Sequence, residues 1–589
     1  MSTYEHDRSF FFERLIRSPL FLFRHFSWLF HSVILKIAIL LRIRYQPTNR
    51  GAKIFPKHLF KKRILSCFIW DDLLFTERLP RYSFLGDLSI PQNIELLKKN
   101  ILFDEDIESI YAAHRWGWLL DFNNFSSHGL VENLKIIERW IECNSDKNEC
   151  AWETYSSCER IANSLLYFSV LPRNDLGKIN FKKYVDFLVS SVEWIYLNLE
   201  YYGEKRTNNH ILNNGRALVM AGVVLGQQDL IDTGMEIFRS FLPQLISNKG
   251  FLRERSSHYQ LIILNWLMDA LKFIESNKTS AKEDVQFLKG YVEKVATASD
   301  FITSSDGSLL STIGDISPDF SPSESTIRMT WLYPGIRKKK SNNFAICEIQ
   351  DDWFKLSFEE DLILGNFIAG KFPQGFPTHG HNDFTSFIWN SGDKRILIDP
   401  GRFRYTADSV SISQVGAMGH NLPIINGFAP FCETLKPNGY LWPTPYAVAN
   451  GEMFTVDDSI ILLHDGFSRA TPVQTHIRQI KLLKGSLEVS DTFSGNGEVE
   501  VLFNWHFDAG FQRFDNNAIA MISSNNSVAI TLFDAVNQQT ITAITYEVFQ
   551  YEQSTIYGHR SDSFCLQVKL YLELSSKIIT NFTIKQCVE

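Results

Sequence analysis

The chain contains no C-x-x-C pair, no uncharged apolar run long enough to cross a bilayer, no low-complexity tract and no glycine-rich loop following a strand. Each absence removes a class of protein. Without the glycine-rich loop, a dinucleotide-binding or P-loop fold has no support. Without biased tracts, and with 44% hydrophobic and 21% charged residues, the chain reads as globular, not disordered. Its eight cysteines, Cys67, Cys143, Cys150, Cys158, Cys347, Cys432, Cys565 and Cys587, are scattered. A chain of 589 residues needs no disulfide staples, so reduced and mostly buried thiols are expected, as in a cytoplasmic protein. A net charge of −7 argues against nucleic acid as the main partner.

That charge is uneven. Residues 1–64 carry 13 Lys/Arg against three Asp/Glu, a net +10, which leaves −17 for the remainder. The first 20 residues hold Glu5, Asp7, Arg8, Glu13, Arg14 and Arg17 with no small-residue cleavage site, so no signal peptide is expected. The apolar stretch from Leu20 to Leu41 is broken by Arg24 and Lys36 with only 11 residues between them, whereas a span needs roughly 20 apolar residues. A transmembrane helix is not expected there. The stretch suits either an ordinary packed helix or an interfacial one with a basic rim, which would place the protein at the inner face of a membrane.

What the chain does have is length and two kinds of periodicity. So many residues exceed a single core, and at least two large domains are expected. Forty-seven Phe and 13 Trp can fill large cores or offer sugar-stacking surfaces. From about Leu96 to Phe301 the apolar period is helical, as in 158–171, 184–199, 209–226, 230–246 and 259–274. Successive helices of similar length with short joints predict stacked helical hairpins, closed into a toroid or run as a solenoid. Near residue 305 the composition turns to Ser, Asp, Gly and Pro, and alternation then takes over, as in THIRQIKLLKGSLEVSDTF and EVEVLFNWHF. Some 250 residues of that character predict an antiparallel β-sandwich. The expected plan is a basic segment 1–64, an (α/α) toroid 65–330 and a sandwich 331–589.

The segment HGHNDFTSFIWNSGDKRILIDPG, residues 379–401, carries the densest chemistry. On a strand, His379 and His381 would share a face. Asp399 ends an apolar strand before a Pro-Gly turn, and His420 opens HNLPIING. Two histidines and an aspartate form a zinc ligand set with room for a water or a fourth group. Strand-end histidines bonded to backbone are the structural alternative.

This H-G-H-x-D … D-P-G … H-N order resembles heparinase II/III-like polysaccharide lyases, a group related to some alginate lyases. The resemblance implies a structural zinc on His381, Asp399 and His420, with His379 turned to the cleft as a base or charge stabiliser. It extends into the helical half. Thr207-Asn208-Asn209-His210 opens a helix with Asn208 as a candidate N-cap, and the family's Asn-His pair falls on Asn209 and His210. LRERSSHYQ (252–260) resembles E-x-S-x-x-Y-H and places the catalytic tyrosine on Tyr259, with Gln260 where His is usual. AWETYSSCERI (151–161) and GDISPD (314–319) also match, and Phe403 and Tyr405 stand where relatives carry an aromatic pair.

The implied reaction is β-elimination at a 4-linked uronic acid within an acidic polysaccharide, in a surface-polysaccharide pathway. Asn209 and His210 would neutralise the carboxylate, Tyr259 would act as acid, and Tyr259 or His379 as base. Three other readings stay open. A glycoside hydrolase would need two carboxylates, for which Glu254 and Asp383 are candidates. A zinc hydrolase would use a water activated on His381, Asp399 and His420. A sugar-binding or assembly protein would have no reaction at all.

Overall fold

The computed structural model describes residues 107–586, except 121–126, 146–149, 170–181, 202–206, 278–280, 304–311, 320–344, 368–378, 407, 431–432, 436–440, 444–449, 509–512, 515–519, 523–525 and 542–544. The basic segment 1–64 and the stretch 20–41 therefore lie outside the described residues. Among the described residues, no helix is long and apolar enough to cross a membrane.

Apolar residues all round a helix predict a buried helix, and an apolar stripe predicts one at the surface. Both kinds occur, in alternation. Thr154–Ser169, His210–Leu225 and Ser257–Ser276 are buried on nearly every side. Lys182–Leu197, Gln228–Leu245 and Lys282–Phe301 bury one face only. The three buried helices pack side by side and the amphipathic ones back them, which is the hairpin layout of a toroid. One hairpin closes unusually tightly. A Cβ on Gly222 would lie 2.8 Å from the Ile231 side chain, and one on Gly234 would lie 2.7 Å from the Gly215 carbonyl oxygen. Only hydrogen fits at either crossing. The buried helices are also joined by charge: Arg216 reaches Glu159 at 2.9 Å and Asp269 at 2.7 Å, all three nearly without exposure. A buried cation between two carboxylates costs much desolvation and gains geometric definition.

The alternating segments fold into two antiparallel nine-stranded sheets among the described residues. One contains Ile346–Gln350, Trp353–Phe358, Asp361–Asn366, Phe387–Ser391, Lys394–Leu397, Glu498–Phe507, Ser561–Glu573 and Thr545–Gln553, with Pro423–Ile425 joined to its centre. The other includes Gly451–Val456, Ser459–His464, Val473–Leu483, Ser486–Gly495, Lys577–Gln586 and Asn526–Asp534. Val473–Leu483 alternates buried and exposed positions, as a strand with one wet face should. Between the sheets lies an apolar core containing Trp389, Val489, Phe503, Trp505 and Phe582.

The two halves share a core of their own. Phe251, Phe301 and Ile313 from the helical half pack on Trp353, Leu362, Leu364 and Ile388 from the sandwich. Phe251 stacks on Trp353 at 5.9 Å. Arg255 pairs with Asp383 across the same junction at 3.3 Å. A dry, ion-paired junction holds groups from the two domains in fixed register.

Five cysteines fall among the described residues, all as free thiols. Only Cys158 and Cys565 are buried; Cys143, Cys150 and Cys347 are half-buried, so the expectation of mostly buried thiols fails for these three.

Candidate active site

Two helix starts and one loop build the site. The helix Ser257–Ser276 is capped by Ser256, whose hydroxyl accepts from the Tyr259 N–H at 3.1 Å, and this fixes Tyr259 in the first turn. At the other start, Asn209 itself holds the N-cap position, with helical dihedrals and no side-chain capping bond. The cap therefore falls one residue later than expected. Asn208 still serves the helix end, because its side-chain oxygen accepts from the His210 N–H at 3.2 Å.

The two histidines of H-G-H are on a loop, not on a strand as expected; the strand begins only at Phe387. What unites them is a shared carboxylate. Asp315 meets His379 Nδ1 at 3.1 Å and His381 Nε2 at 2.9 Å, and Arg402 adds a contact at 3.3 Å. Burial opposes charge on Asp315, but Arg402 and the two histidine hydrogen bonds outweigh it and hold the carboxyl well below the usual range. Gly314 lets this segment approach, since its φ is +81° and a Cβ would lie 2.7 Å from the His379 carbonyl oxygen.

His379 lies flat on Tyr259, with ring centroids 3.5 Å apart and planes 9° apart. The Tyr405 hydroxyl sits 3.2 Å from the Tyr259 hydroxyl and 3.3 Å from His379 Nδ1. The toroid thus supplies one phenol and the sandwich supplies a second phenol and an imidazole. Burial pushes the Tyr259 phenol well above its ordinary value, which keeps its proton in place at neutral pH.

Glu254 ties Asn209 into this cluster. Its Oε1 accepts from the Asn209 N–H at 2.8 Å, and its Oε2 lies 3.4 Å from His379 Nε2. Glu254 Oε2, His379 Nε2 and both polar atoms of the Asn209 side chain are buried without hydrogen-bond partners. Orphaned polar groups are uncommon in folded proteins, and a cluster of them calls for an explanation such as a catalytic role or a bound group. His210 stands beside them, half-buried, with Nδ1 2.8 Å from Glu200 Oε1 and its ring 4.6 Å from Tyr155. Burial works against charge on His210, but Glu200, with Glu153 and Glu254 behind it, raises the ring to about 9.

The candidate metal ligands form a separate, deeper cluster. His381, Asp399 and His420 bring ligand atoms within 4.8 Å of one another. His381 Nδ1 is 3.9 Å from one Asp399 oxygen, and His420 Nδ1 is 3.5 Å from the other. His381 Nδ1 is buried without a hydrogen-bond partner, and the His420 ring is buried with a single backbone bond, to Val415. Burial lifts Asp399 to about 7 and drives His420 well below its ordinary value. His381 moves the other way: burial opposes its charge, but Asp315 and Asp399 outweigh burial and raise it. Two imidazole nitrogens converging on one buried carboxylate form a donor set that suits a cation, and the Asp315 contact to His381 Nε2 is the usual orienting partner of a ligating histidine. Asn421 and Arg478 brace these loops. Asn421 Nδ2 donates to the carbonyls of Phe387 and Ile398, and Arg478, paired with Asp491, donates to those of Thr385 and Asn421.

The structure thus gathers Tyr259 and His379 directly, and Asn209 through Glu254. Asp315 and Tyr405 emerge as site residues whose part was not assigned from sequence, although their segments were. Gln260 does not approach this cluster. Its amide bonds the backbone at Leu252, Gly250 and Val295 and so fixes the turn before Tyr259. Asp383 is held by Arg255 and Asn366, which makes it a brace between the domains and not one of a hydrolytic pair.

Residues 367–561, within the sandwich, match the family described as heparinase II/III-like, C-terminal. No curated protein sequence matches the chain. Among solved structures, the chain is similar to heparinase III at 16% identity, with a TM-score of 0.64, covering 95% of this chain and 90% of that one. It is also similar to a heparan sulfate lyase HepC mutant from Pedobacter heparinus at 14% identity, with a TM-score of 0.55, covering 88% of each chain. Helical toroid followed by antiparallel sandwich is the fold of these proteins and of this chain.

Proposed function

We propose that the protein is a polysaccharide lyase that cleaves a uronic-acid-containing polysaccharide by β-elimination. The observation that carries this reading is the convergence of orphaned groups, Asn209 amide, Glu254 Oε2 and His379 Nε2, beside the paired Tyr259 and Tyr405 hydroxyls.

The chemistry needs three things: a neutralised carboxylate, a base at C5 and an acid at O4. Asn209 and His210, at a helix start whose dipole favours anions, would receive the uronate carboxylate. Asp315 accepts the Nδ1 proton of His379, which leaves the Nε2 lone pair for the C5 proton. The imidazolium formed would then lie between Asp315 and Glu254. As C5–H breaks, its electron pair forms the C4=C5 bond and the C4–O4 pair leaves with O4. Tyr259 gives O4 its proton, and the Tyr405 hydroxyl beside it can stabilise the phenolate. The raised phenol suits Tyr259 to the acid role and leaves the base to His379. Asn209→Ala should therefore raise KM and lower kcat together, by about 10² in kcat/KM, because the carboxylate is charged before and during the reaction. Steady-state kinetics on an accepted polymer would check it; a change in kcat alone would contradict the binding role.

We further propose that His381, Asp399 and His420 hold one structural zinc. When bound, the ion would neutralise Asp399 and fix the two loops behind His379. All three ligands are nearly without exposure, which supports a structural ion over a hydrolytic one. Asp315→Asn should weaken metal binding by about 10- to 100-fold, as loss of an orienting carboxylate does. Competition with a chelator would measure it, and unchanged affinity would remove Asp315 from that role.

A further inference from the structure

Glu200 has no part in the reaction described above, yet it is among the most deliberately held side chains near it. It is nearly buried at the start of the connection that follows Lys182–Leu197. Asn214, one turn into the helix that His210 opens, grips it twice: its amide nitrogen donates to Glu200 Oε2 at 2.9 Å, and its amide oxygen accepts from the Glu200 N–H at 2.8 Å. Asn214 also donates to the His210 carbonyl at 3.0 Å, so one side chain sets both partners of the pair. The remaining Glu200 oxygen faces His210 Nδ1 at 2.8 Å, and Tyr155 packs against the ring face. Nδ1 is thus committed to Glu200, and the ring is about one-third exposed. Nε2 is the nitrogen left for a ligand.

We propose that Glu200 is a positioning residue that holds His210 as an imidazolium, with Nε2–H presented to the uronate carboxylate of the substrate. This rests on the lyase reading above and deepens it. A neutral imidazole could donate one hydrogen bond; an imidazolium adds a full countercharge where the C5 proton must be made acidic. The groups facing the ring are Glu200, Glu153 and Glu254, with Tyr155 on its face. Glu153 is the weaker countercharge of the two: burial, then Glu200, raises its carboxyl, and both its oxygens are engaged in capping the helix Thr154–Ser169 through the Tyr155 and Ser156 N–H groups. Because His210 sits near 9 when folded and near 6.5 when unfolded, the stability of the pair is full below about pH 6.5 and lost as pH rises through 9.

Two measurements on the full chain test this. First, 15N-histidine NMR of the wild type, with His210→Gln to assign the signal, should show a protonated ring at pH 8. In Glu200→Gln the same ring should be neutral at that pH. Second, the alkaline limb of kcat/KM should move from near 9 to 6.5 or below in Glu200→Gln. That shift predicts a loss of at least about 30-fold at pH 8, with the two proteins converging near pH 5. A purely structural role would lower activity equally at every pH. A neutral His210 in the wild type at pH 8, or an unmoved alkaline limb, overturns the proposal. So does a divalent cation held by Glu153, Glu200 and His210, seen as a metal equivalent that Glu200→Gln alone removes. A protonated His210 in a protein that forms no unsaturated product would instead leave Glu200 in place and fail the lyase reading. If Glu200→Gln does not fold, the wild-type NMR titration still decides.

Discussion

Tyr259→Phe should lower turnover on an accepted uronic-acid polymer by about 10² or more, the scale of losing a positioned acid. The substitution removes one hydroxyl from a ring that stays stacked on His379, so packing and fold should be kept. KM should barely change, because the proton moves in the transition state and not on binding. Metal content should also be unchanged, since the ring touches none of His381, Asp399 or His420. Steady-state kinetics alongside metal analysis checks all three expectations. Near-normal turnover would take Tyr259 out of the mechanism and put Tyr405, 3.2 Å away, in its place.

His381→Ala is expected to act on a different property. It removes a ligand at the centre of the cluster, where His381 faces both Asp315 and Asp399. The purified wild type should carry about one zinc per chain and the variant should carry none. An ion that binds only the folded protein, at a thousandfold excess over its Kd, stabilises it by about 4 kcal/mol. The variant should therefore unfold at a distinctly lower temperature, and a chelator should bring the wild type down to the same point. A metal-free wild type whose stability ignores chelator would contradict the zinc proposal without touching the roles of Tyr259 and Asn209.

How much of this was legible in the sequence depends on the range of the interaction. Helices and strands were, because each carries its own apolar period: residues 210–225 are helical where the pattern spanned 209–226, and Val473–Leu483 alternates as a strand should. The order of His379, His381, Asp399 and His420 was also legible, through its resemblance to a family motif, although two strands and a helix lie between them. Asp315 was not assigned, because its role exists only once a loop from the helical half meets one from the sandwich, 64 residues away from His379. Tyr405 was noted as an aromatic, but its pairing with Tyr259 spans 146 residues and leaves no trace in local spacing. The placement of H-G-H on a strand failed for a local reason. Gly380 and the turn at Asp383–Ser386 release the chain from the sheet before Phe387, and both histidines then turn to one carboxylate.

The most direct test is of the bond that breaks. The wild-type protein should be incubated with a panel of uronic-acid polymers, and both ultraviolet absorbance and new reducing ends should be counted. β-Elimination leaves a C4=C5 double bond conjugated to the carboxylate, so each new reducing end should come with one absorbing product, and Tyr259→Phe should lose both together. New reducing ends without absorbance would mean hydrolysis, and a polymer bound but left intact would mean a binding protein; either result contradicts the lyase reading.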